Sequence, residues 1–494
     1  MTLILAFYSK NDDTSGAAFQ YLKARRYLRS AVVRRSDEGV VSVTEGQAAK
    51  FLGAFAALSV VLGLGLLLQL NTTALLLLGA AGFLAGSWSA RRMGLGIPGA
   101  LIAQYVPWVL DGESLLIVQV AGRRDTRQVL DVLRSGEGTP AVFVDRPTPD
   151  QPVNAPQRTS PLTGQQLREL AQHLTETHQV GPPSGKAQGL LRRLKANGEI
   201  LEQVRESLDE SARLLQPITP AAEWLLDNSY IIQGHIADIH RNLPRQYHKV
   251  LPVLTAKTSA STGPAWRLSQ YRLQRCRREV GPGTLRIYHL AVELIQGTDA
   301  RFTRDLLIEF LQTYQQRAPL TIAELWVFPL LLRYALVEEL ARQGLAVSRR
   351  QNEREKADLW ANRLLSAARS NGSQLQHILA ELADFQPDVP PHFAVRLAGQ
   401  LLDEEETSAA VQKWLEEKSG VPLHEVIRQE QARQAADQIS ISNAIGSLRL
   451  LAQIDWREIF ELTNHVEQRL QDDPAGVHSL SDFATRDDRR IVGE

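Results

Sequence analysis

The chain has 494 residues, with 55 Lys and Arg against 55 Asp and Glu, so its formal net charge is zero. This balance argues against a strongly basic nucleic-acid-binding protein, and no nucleic acid is expected as a partner. A single cysteine, Cys276, excludes a disulfide framework or a cysteine-based metal site within one chain, which is typical of a reducing compartment.

Residues 1–146 alternate predicted strands and helices. Strands are predicted at 3–8, within 31–43, at 114–120 and at 141–145, and helices at about 14–28, 98–110 and 125–133. Strands that alternate with helices are typical of a small α/β sandwich. We expect a ferredoxin-like arrangement here.

Two apolar runs within residues 51–90 predict a transmembrane hairpin inserted into this domain. Each has about the 20 residues needed to cross a bilayer, and a polar break at Asn71 and Thr72 separates them. Basic residues precede the first run, and Arg91 and Arg92 follow the second, so the positive-inside rule predicts an inner-membrane protein with both termini and the helical domain in the cytoplasm. A buried hairpin of a large soluble core is the alternative. The layout resembles small bacterial membrane proteins in which a glycine-zipper hairpin interrupts a ferredoxin-like domain.

Residues 147–187 are predicted to be a Pro-rich linker, interrupted by a helix at 163–177. From 188 to 494 apolar residues recur at helical spacing without a strand pattern. The stretch 321–341 is strongly apolar but carries interspersed charges, which indicates a central core helix. The predicted fold class is thus a membrane-anchored, ferredoxin-like α+β domain with a two-helix transmembrane hairpin, followed by an all-α helical domain.

One group of polar side chains in the helical half is a candidate site. It comprises His235, Asp238, His240, Arg241 and Arg245. Histidine and carboxylate are common zinc ligands, so a metal site is one interpretation. A polar network that locks the following turn is the other, and we favour the network.

Three tryptophans, Trp224, Trp326 and Trp456, are candidates for stacking on sugar rings. Tryptophans on apolar helix faces are more often core residues, so both interpretations stay open. A membrane glycosyltransferase would need clustered aspartates for a metal-bound nucleotide and an aspartate base. The sequence has no such arrangement and no QxxRW element, so no catalytic, cofactor-binding or metal-binding residue is assigned.

Seven phrases of the helical half occur together, in the same order, in one known family. They are EWLLDNSYIIQGHI (223–236), IHRNLPRQYHKVL (239–251), RIYHLAVELIQGTDAR (286–301), PLTIAELW (319–326), RQEQARQAADQISISN (428–443), IGSLRLLAQIDWREIF (445–460) and DFATRD (482–487). Over about residues 217–487 the chain resembles the region that precedes the glycosyltransferase domain in cyclic β-1,2-glucan synthases.

The resemblance implies a part in making β-1,2-linked glucans from UDP-glucose at the cytoplasmic membrane. After Arg486 and Asp487 the sequence continues only to Glu494, so the residues of family catalysis are expected outside it. UDP-glucose and a divalent metal are then implied for the transferase and not for this chain.

The function predicted on this basis is a membrane-anchored, non-catalytic module that positions or regulates a transferase. Its expected partners are the lipid bilayer and a glycosyltransferase domain or subunit, and whether the chain is itself an enzyme stays open. One alternative is a non-enzymatic membrane scaffold or regulator that binds a protein partner through its helical array. Another is an independent glycan-binding module.

Overall fold

The computed structural model describes most of the chain and divides it into two compact units. The described residues are 2–8, 15–24, 29–36, 41–45, 97, 99–109, 112–120, 123–135, 141–145, 161–183, 189–213, 216–243, 247–255, 283–370, 372–386, 388–472 and 477–493. The sheet unit comprises Met1–Thr148 and Arg350–Gln431, and the helical unit comprises Pro149–Arg349 and Ala432–Glu494. Each unit is therefore assembled from two separate stretches of sequence.

The strands of the described residues form one larger sheet and one short pair. They are β1 (Thr2–Tyr8), β2 (Ser30–Arg35), β3 (Val41–Glu45), β4 (Ser114–Val120), β5 (Ala141–Asp145), β6 (Val180–Gly181) and β7 (Val253–Leu254). The larger sheet has the order β3-β2-β4-β1-β5 with antiparallel neighbours throughout, and β6 pairs with β7.

Helices account for most of the described residues. They are α1 (Ser15–Ala24), α2 (Gly99–Tyr105), α3 (Arg123–Ser135), α4 (Gly164–Thr177), α5 (Leu190–Arg213), α6 (Pro220–Asp227), α7 (Ser229–Asn242), α8 (Arg286–Gly297), α9 (Arg304–Gln315), α10 (Ile322–Ser370), α11 (Gly372–Phe385), α12 (Pro391–Gln400), α13 (Glu405–Ser419), α14 (Leu423–Gln453), α15 (Trp456–Thr463), α16 (His465–Gln471), α17 (Val477–Leu480) and α18 (Phe483–Gly493).

Strand β1 lies inside the larger sheet and is covered on both faces. It pairs with β4 from Thr2↔Val120 to Tyr8↔Ser114 and with β5 on its other side. All of its residues from Leu3 to Tyr8 are buried. A strand buried on both faces has a continuous apolar sequence in place of an alternating one, and LILAFY is such a run.

Arg363, on α10, places a buried cation against the sheet. Its Nη2 donates to the backbone carbonyl of Trp108 at 2.8 Å and to Glu113 at 2.9 Å. The guanidinium carbon lies 4.1 Å from the centre of the Phe7 ring. Burial lowers the pKa of Arg363, with Glu113 acting in the opposite direction. The carboxylate and the aromatic ring therefore offset part of the cost of desolvating this charge.

The core of the helical unit forms around α8, α9, the first half of α10 and the end of α14. Helix α4 joins this core through its apolar face, which includes Leu167 and Leu170. Gly297, at the end of α8, permits the approach, since a β-carbon there would lie 3.2 Å from Leu162 and from Leu167. The amide of Leu162 also donates to the carbonyl of Gly297 at 2.8 Å.

The turn after α8 is held in a left-handed conformation by α14. Asp299 and Ala300 have φ values of 51° and 59°, which side chains other than glycine adopt at a cost, although aspartate tolerates them better than most. The Ser440 hydroxyl donates to both carboxylate oxygens of Asp299 at 2.8 and 2.9 Å, and Asn443 donates to its carbonyl at 3.2 Å. These bonds offset part of the cost of the two positive φ values.

Several predicted elements are confirmed by the structure. The strands at 114–120 and 141–145 have the predicted bounds, and the helix predicted at 163–177 is α4 with Thr163 as its cap. The stretch 321–341 is part of α10 and lies in the core, as its interspersed charges indicated. The transmembrane hairpin predicted at 51–90 lies outside the described residues.

The predicted fold class as a whole is wrong. The described chain is mostly helical with a small antiparallel sheet, and that sheet shares its unit with helices from 350–431. The second half is not all-α, since it contains β7. No described helix combines the length and the apolar character that crossing a membrane requires. Hydrophobic periodicity identified local elements, but it contains no information on which distant helices cover a sheet.

Replacement of Asp299 by Ala should destabilise the helical unit by about 1–3 kcal/mol, because the Ser440 hydroxyl loses its acceptor. Asp299→Asn should cost less, because asparagine also tolerates positive φ. Urea unfolding measures both changes, with Asp227→Ala as the control at an exposed aspartate. Equal stabilities for Asp299→Ala and the wild type would contradict this role for the turn.

Candidate functional site

A buried ion pair lies at the centre of the helical unit. The Nε of Arg286 donates to Glu324 at 2.8 Å, and its Nη2 donates to the second carboxylate oxygen. The side chains are 6% and 0% exposed. Glu324 also accepts from the amide of Thr321 at 2.9 Å, while the Thr321 hydroxyl accepts from the Glu324 amide at 3.2 Å. This reciprocal cap starts α10 and fixes the carboxylate that receives Arg286.

A series of hydrogen bonds continues from this pair through two histidines. Tyr314 bonds Arg286 and lies 2.9 Å from Nδ1 of His178, whose Nε2 lies 2.8 Å from Nδ1 of His289. Nε2 of His289 is 3.3 Å from Glu293. Arginine can only donate and the Glu293 carboxylate can only accept, and the arrangement that satisfies both ends has Tyr314 accepting from Arg286 and donating to His178. Both rings then carry their proton on Nε2, and the series, which we call the histidine relay, ends on the Glu293 carboxylate.

Burial is the main influence on the protonation of the histidine relay. It lowers the pKa of His178 to about 3, an effect that the neighbouring His289 increases. Burial also raises the pKa of Tyr314 to about 12. His178 therefore stays a neutral imidazole and Tyr314 a neutral phenol at physiological pH. Because its members are buried, it fixes α4, α8, α9 and α10 against one another and does not present a reacting group to solvent.

The sequence-based prediction missed the histidine relay, although a signal for it exists. Arg286, His289 and Glu293 interrupt the apolar run of α8 at spacings of three and four residues, and all three are buried. Charged and polar side chains at core positions are found only where partners satisfy them. That spacing could have been recognised, but the partners Tyr314 and His178 lie on other elements.

A second group of polar side chains contains His235 and Asp238, two of the five polar residues predicted as a candidate site. Asp238 receives Nη1 of Arg333 at 2.9 Å and the amide of Asn242 at 2.6 Å. His235 donates to the carbonyl of Leu448, and its pKa is lowered by burial and by Arg333. His240 and Arg241 are exposed on α7 away from these contacts. The fifth predicted member, Arg245, lies outside the described residues.

The last turn of α14 is where this group converges. Nη2 of Arg333 donates to the carbonyl of Leu451 at 2.9 Å, and the indole of Trp456 donates to the same oxygen at 3.1 Å. The last four carbonyls of a helix lack intrahelical partners. A cation at this end is also favoured by the helix dipole. The geometry thus assigns Arg333 and Trp456 a capping contact.

The three candidate tryptophans lie in different surroundings. Trp224 is half-buried against the core, as is Trp456. Trp326 is 41% exposed and stacks on Phe460, with ring centres 4.7 Å apart and planes inclined by 30°. Whether any of them contacts a sugar stays a prediction.

Side chains of α10 and α15 meet at two points. Trp456 meets Arg333 at the Leu451 carbonyl, and Phe460, one turn later on α15, meets Trp326, which is two turns earlier on α10. We call this surface, formed by Trp326, Phe460, Trp456, Arg333 and Asp238, the α10–α15 face. It unites two of the candidate tryptophans with the one carboxylate of the predicted set, Asp238.

One small cavity lies among the described helices, and it is too small for a sugar. The cavity, of about 30 Å³, lies between α5, α6 and α7, where Gly198 and Ile236 are among its lining residues. That volume is of the order needed for a single water molecule or two and too small for a sugar ring. In the part of the chain that the structure describes, no three His, Cys, Asp or Glu side chains are grouped as metal ligands.

Comparison with known proteins supports the resemblance at the level of the family. The cyclic beta-(1,2)-glucan synthase NdvB of Rhizobium meliloti (strain 1021) is 29% identical to this chain over 276 residues. Those residues are 55% of this chain and 9% of the relative, so the chain spans less than a tenth of that protein's length. No protein-family model matches the chain. The likeness supports a family-level resemblance over the matched residues, and it does not extend to the ferredoxin-like and glycine-zipper details.

Acidification should destabilise the helical unit through His178. The unfolded state takes up a proton below about pH 6.5, whereas the folded state does so only near pH 3. Between those values the free energy of unfolding should fall as pH falls, by up to about 1.4 kcal/mol per pH unit from this group.

Urea unfolding at a series of pH values measures the slope. His178→Gln should flatten it and cost about 1–3 kcal/mol at pH 7, because the histidine relay is broken. His240→Gln, at an exposed histidine of α7, should keep the wild-type slope. A slope that His178→Gln leaves unchanged would show that another group is responsible.

Proposed function

We propose that the chain is an accessory module of a glucan-synthesising glycosyltransferase system. It positions or regulates a glycosyltransferase domain or subunit located outside this sequence, and it does not itself transfer glucose. The observation that carries the proposal is the 276-residue likeness to a cyclic β-(1,2)-glucan synthase. UDP-glucose and a divalent metal would bind to the transferase, and the assembly would work at the inner membrane.

The chemistry of the buried carboxylate of Glu324 supports an accessory role. Glu324 is 0% exposed and is occupied by Arg286, and this ion pair joins two separate helices. A general base or a metal ligand needs a carboxylate that can reach a substrate. Glu324 instead sets the geometry of a helical surface, which is what a positioning module needs.

A second buried carboxylate has the same character. Glu338 accepts from the hydroxyl of Tyr288 and, at 3.3 Å, from that of Tyr334. The guanidinium of Arg193 lies over both rings, 5.3 and 5.9 Å from their centres. This cluster fixes α5 against α8 and α10, and so extends the rigid part of the helical unit.

Incorporation of label from UDP-glucose into β-1,2-glucan tests the proposal. Membranes that contain the transferase together with this chain should make glucan, and those that contain either component alone should stay at background. Incorporation by this chain alone would contradict a non-transferring role. Full synthesis by the transferase alone would contradict an accessory role.

A matched pair of isoleucines on α14 tests whether the folded helical unit is required. Ile445 is fully buried and Ile439 is 57% exposed. Ile445→Asp should abolish glucan synthesis in the reconstituted system, because a buried unpaired charge disrupts the core. Ile439→Asp should leave synthesis close to that of the wild type. If both variants were equally active, glucan synthesis would not require the folded helical unit, which would contradict the proposal.

A further inference from the structure

Trp326 occupies an unusual position on α10. Between Ile322 and Ser348 all the other residues of this helix are buried or half-buried, whereas Trp326 is 41% exposed. The helix thus presents one of the largest apolar side chains at the most exposed position of this stretch. An exposed indole does not gain the favourable free energy of burial. A ligand that covers the ring can gain that free energy on binding.

The Trp326 ring is held in a fixed orientation. It stacks on Phe460, which is 3% exposed, with ring centres 4.7 Å apart. The guanidinium carbon of Arg490 in turn lies 5.2 Å from the centre of the Phe460 ring. Arg490 is itself held by the fully buried carboxylate of Glu467. A ring supported in this way loses little conformational entropy when a ligand covers it.

An ion pair lies further along α10 from this ring. Arg333 follows Trp326 by seven residues, which places it on the same side of α10, about 10 Å along the axis. Its partner Asp238 has a side chain that is 35% exposed, so it keeps acceptor capacity toward solvent. The α10–α15 face therefore combines one flat apolar platform with a carboxylate–guanidinium pair two helical turns away.

We propose that the α10–α15 face binds a segment of a β-linked glucan chain. One glucose ring of the glucan lies with its C–H face on Trp326. Hydroxyls of a neighbouring glucose unit of the same glucan form hydrogen bonds with Asp238 and Arg333. The proposal rests on the proposed function and names the ligand class of this face. A sugar fits better than a protein partner, because Phe460 beneath the platform is buried and one indole is far smaller than the roughly 1,000 Å² of a stable protein interface.

Isothermal titration calorimetry of the full chain with linear β-1,2-linked gluco-oligosaccharides tests the site. The wild type should bind them, and Trp326→Ala should raise Kd by roughly three- to tenfold, the contribution expected of one aromatic stack. Trp326→Phe should recover part of the affinity, and Asp238→Asn should weaken binding independently of the platform. The control is Tyr21→Ala, which removes a tyrosine that is 47% exposed in the sheet unit. Thermal unfolding verifies that each variant is folded.

The outcomes separate this inference from the proposed function. Absence of binding by the wild type, or equal affinities of the wild type and Trp326→Ala, would overturn the glucan site. If Trp326→Ala keeps oligosaccharide binding and loses the transferase from the purified assembly, the face is a protein interface and the proposal is wrong. Should the wild type bind oligosaccharide while the transferase works fully without the chain, the glucan site stands and the accessory role fails.

Discussion

The helical unit depends on the buried pair of Arg286 and Glu324. Removing two charges from water costs several kcal/mol per ion, and only good geometry with further hydrogen bonds offsets that cost. Here the guanidinium makes two bonds to the carboxylate, and the carboxylate is also bonded by the first turn of its own helix. The histidine relay through His178 and His289 extends the same constraint to α4 and α9. One polar network therefore sets the relative positions of the helices at the centre of this unit.

The buried pair of Arg286 and Glu324 also helps to fix the geometry of the α10–α15 face. Glu324 and Trp326 lie in the first turns of α10, so fixing the carboxylate in the core fixes the start of the helix that presents the indole. At the other end of the face, Arg333 and Trp456 share one carbonyl of α14. The exposed groups are thus held from both ends by buried contacts. Such preorganisation suits a surface that positions a chain or a partner and does no covalent chemistry.

Local elements of the fold could be predicted from the sequence, and their assembly could not. The strand at 114–120 has a β-rich apolar run, and α4 begins with a threonine cap that the sequence displays. The sequence does not indicate that residues 350–431 belong to the sheet unit. Their place there depends on contacts between distant residues, such as Arg363 with Glu113, which are 250 residues apart. At the site, Asp238 and Trp326 were recognised by residue type, whereas their partners Arg333 and Phe460 are defined only by packing.

A double-mutant cycle on Arg286→Met and Glu324→Met is the decisive experiment for this buried pair, with the free energy of unfolding measured in urea. Each single variant leaves a buried charge without its partner and should lose about 3–5 kcal/mol. The double variant removes both charges and should be much less destabilised than the sum of the two, giving a coupling energy of several kcal/mol. Additive losses, with a coupling below about 0.5 kcal/mol, would show that the helical unit does not depend on the pair.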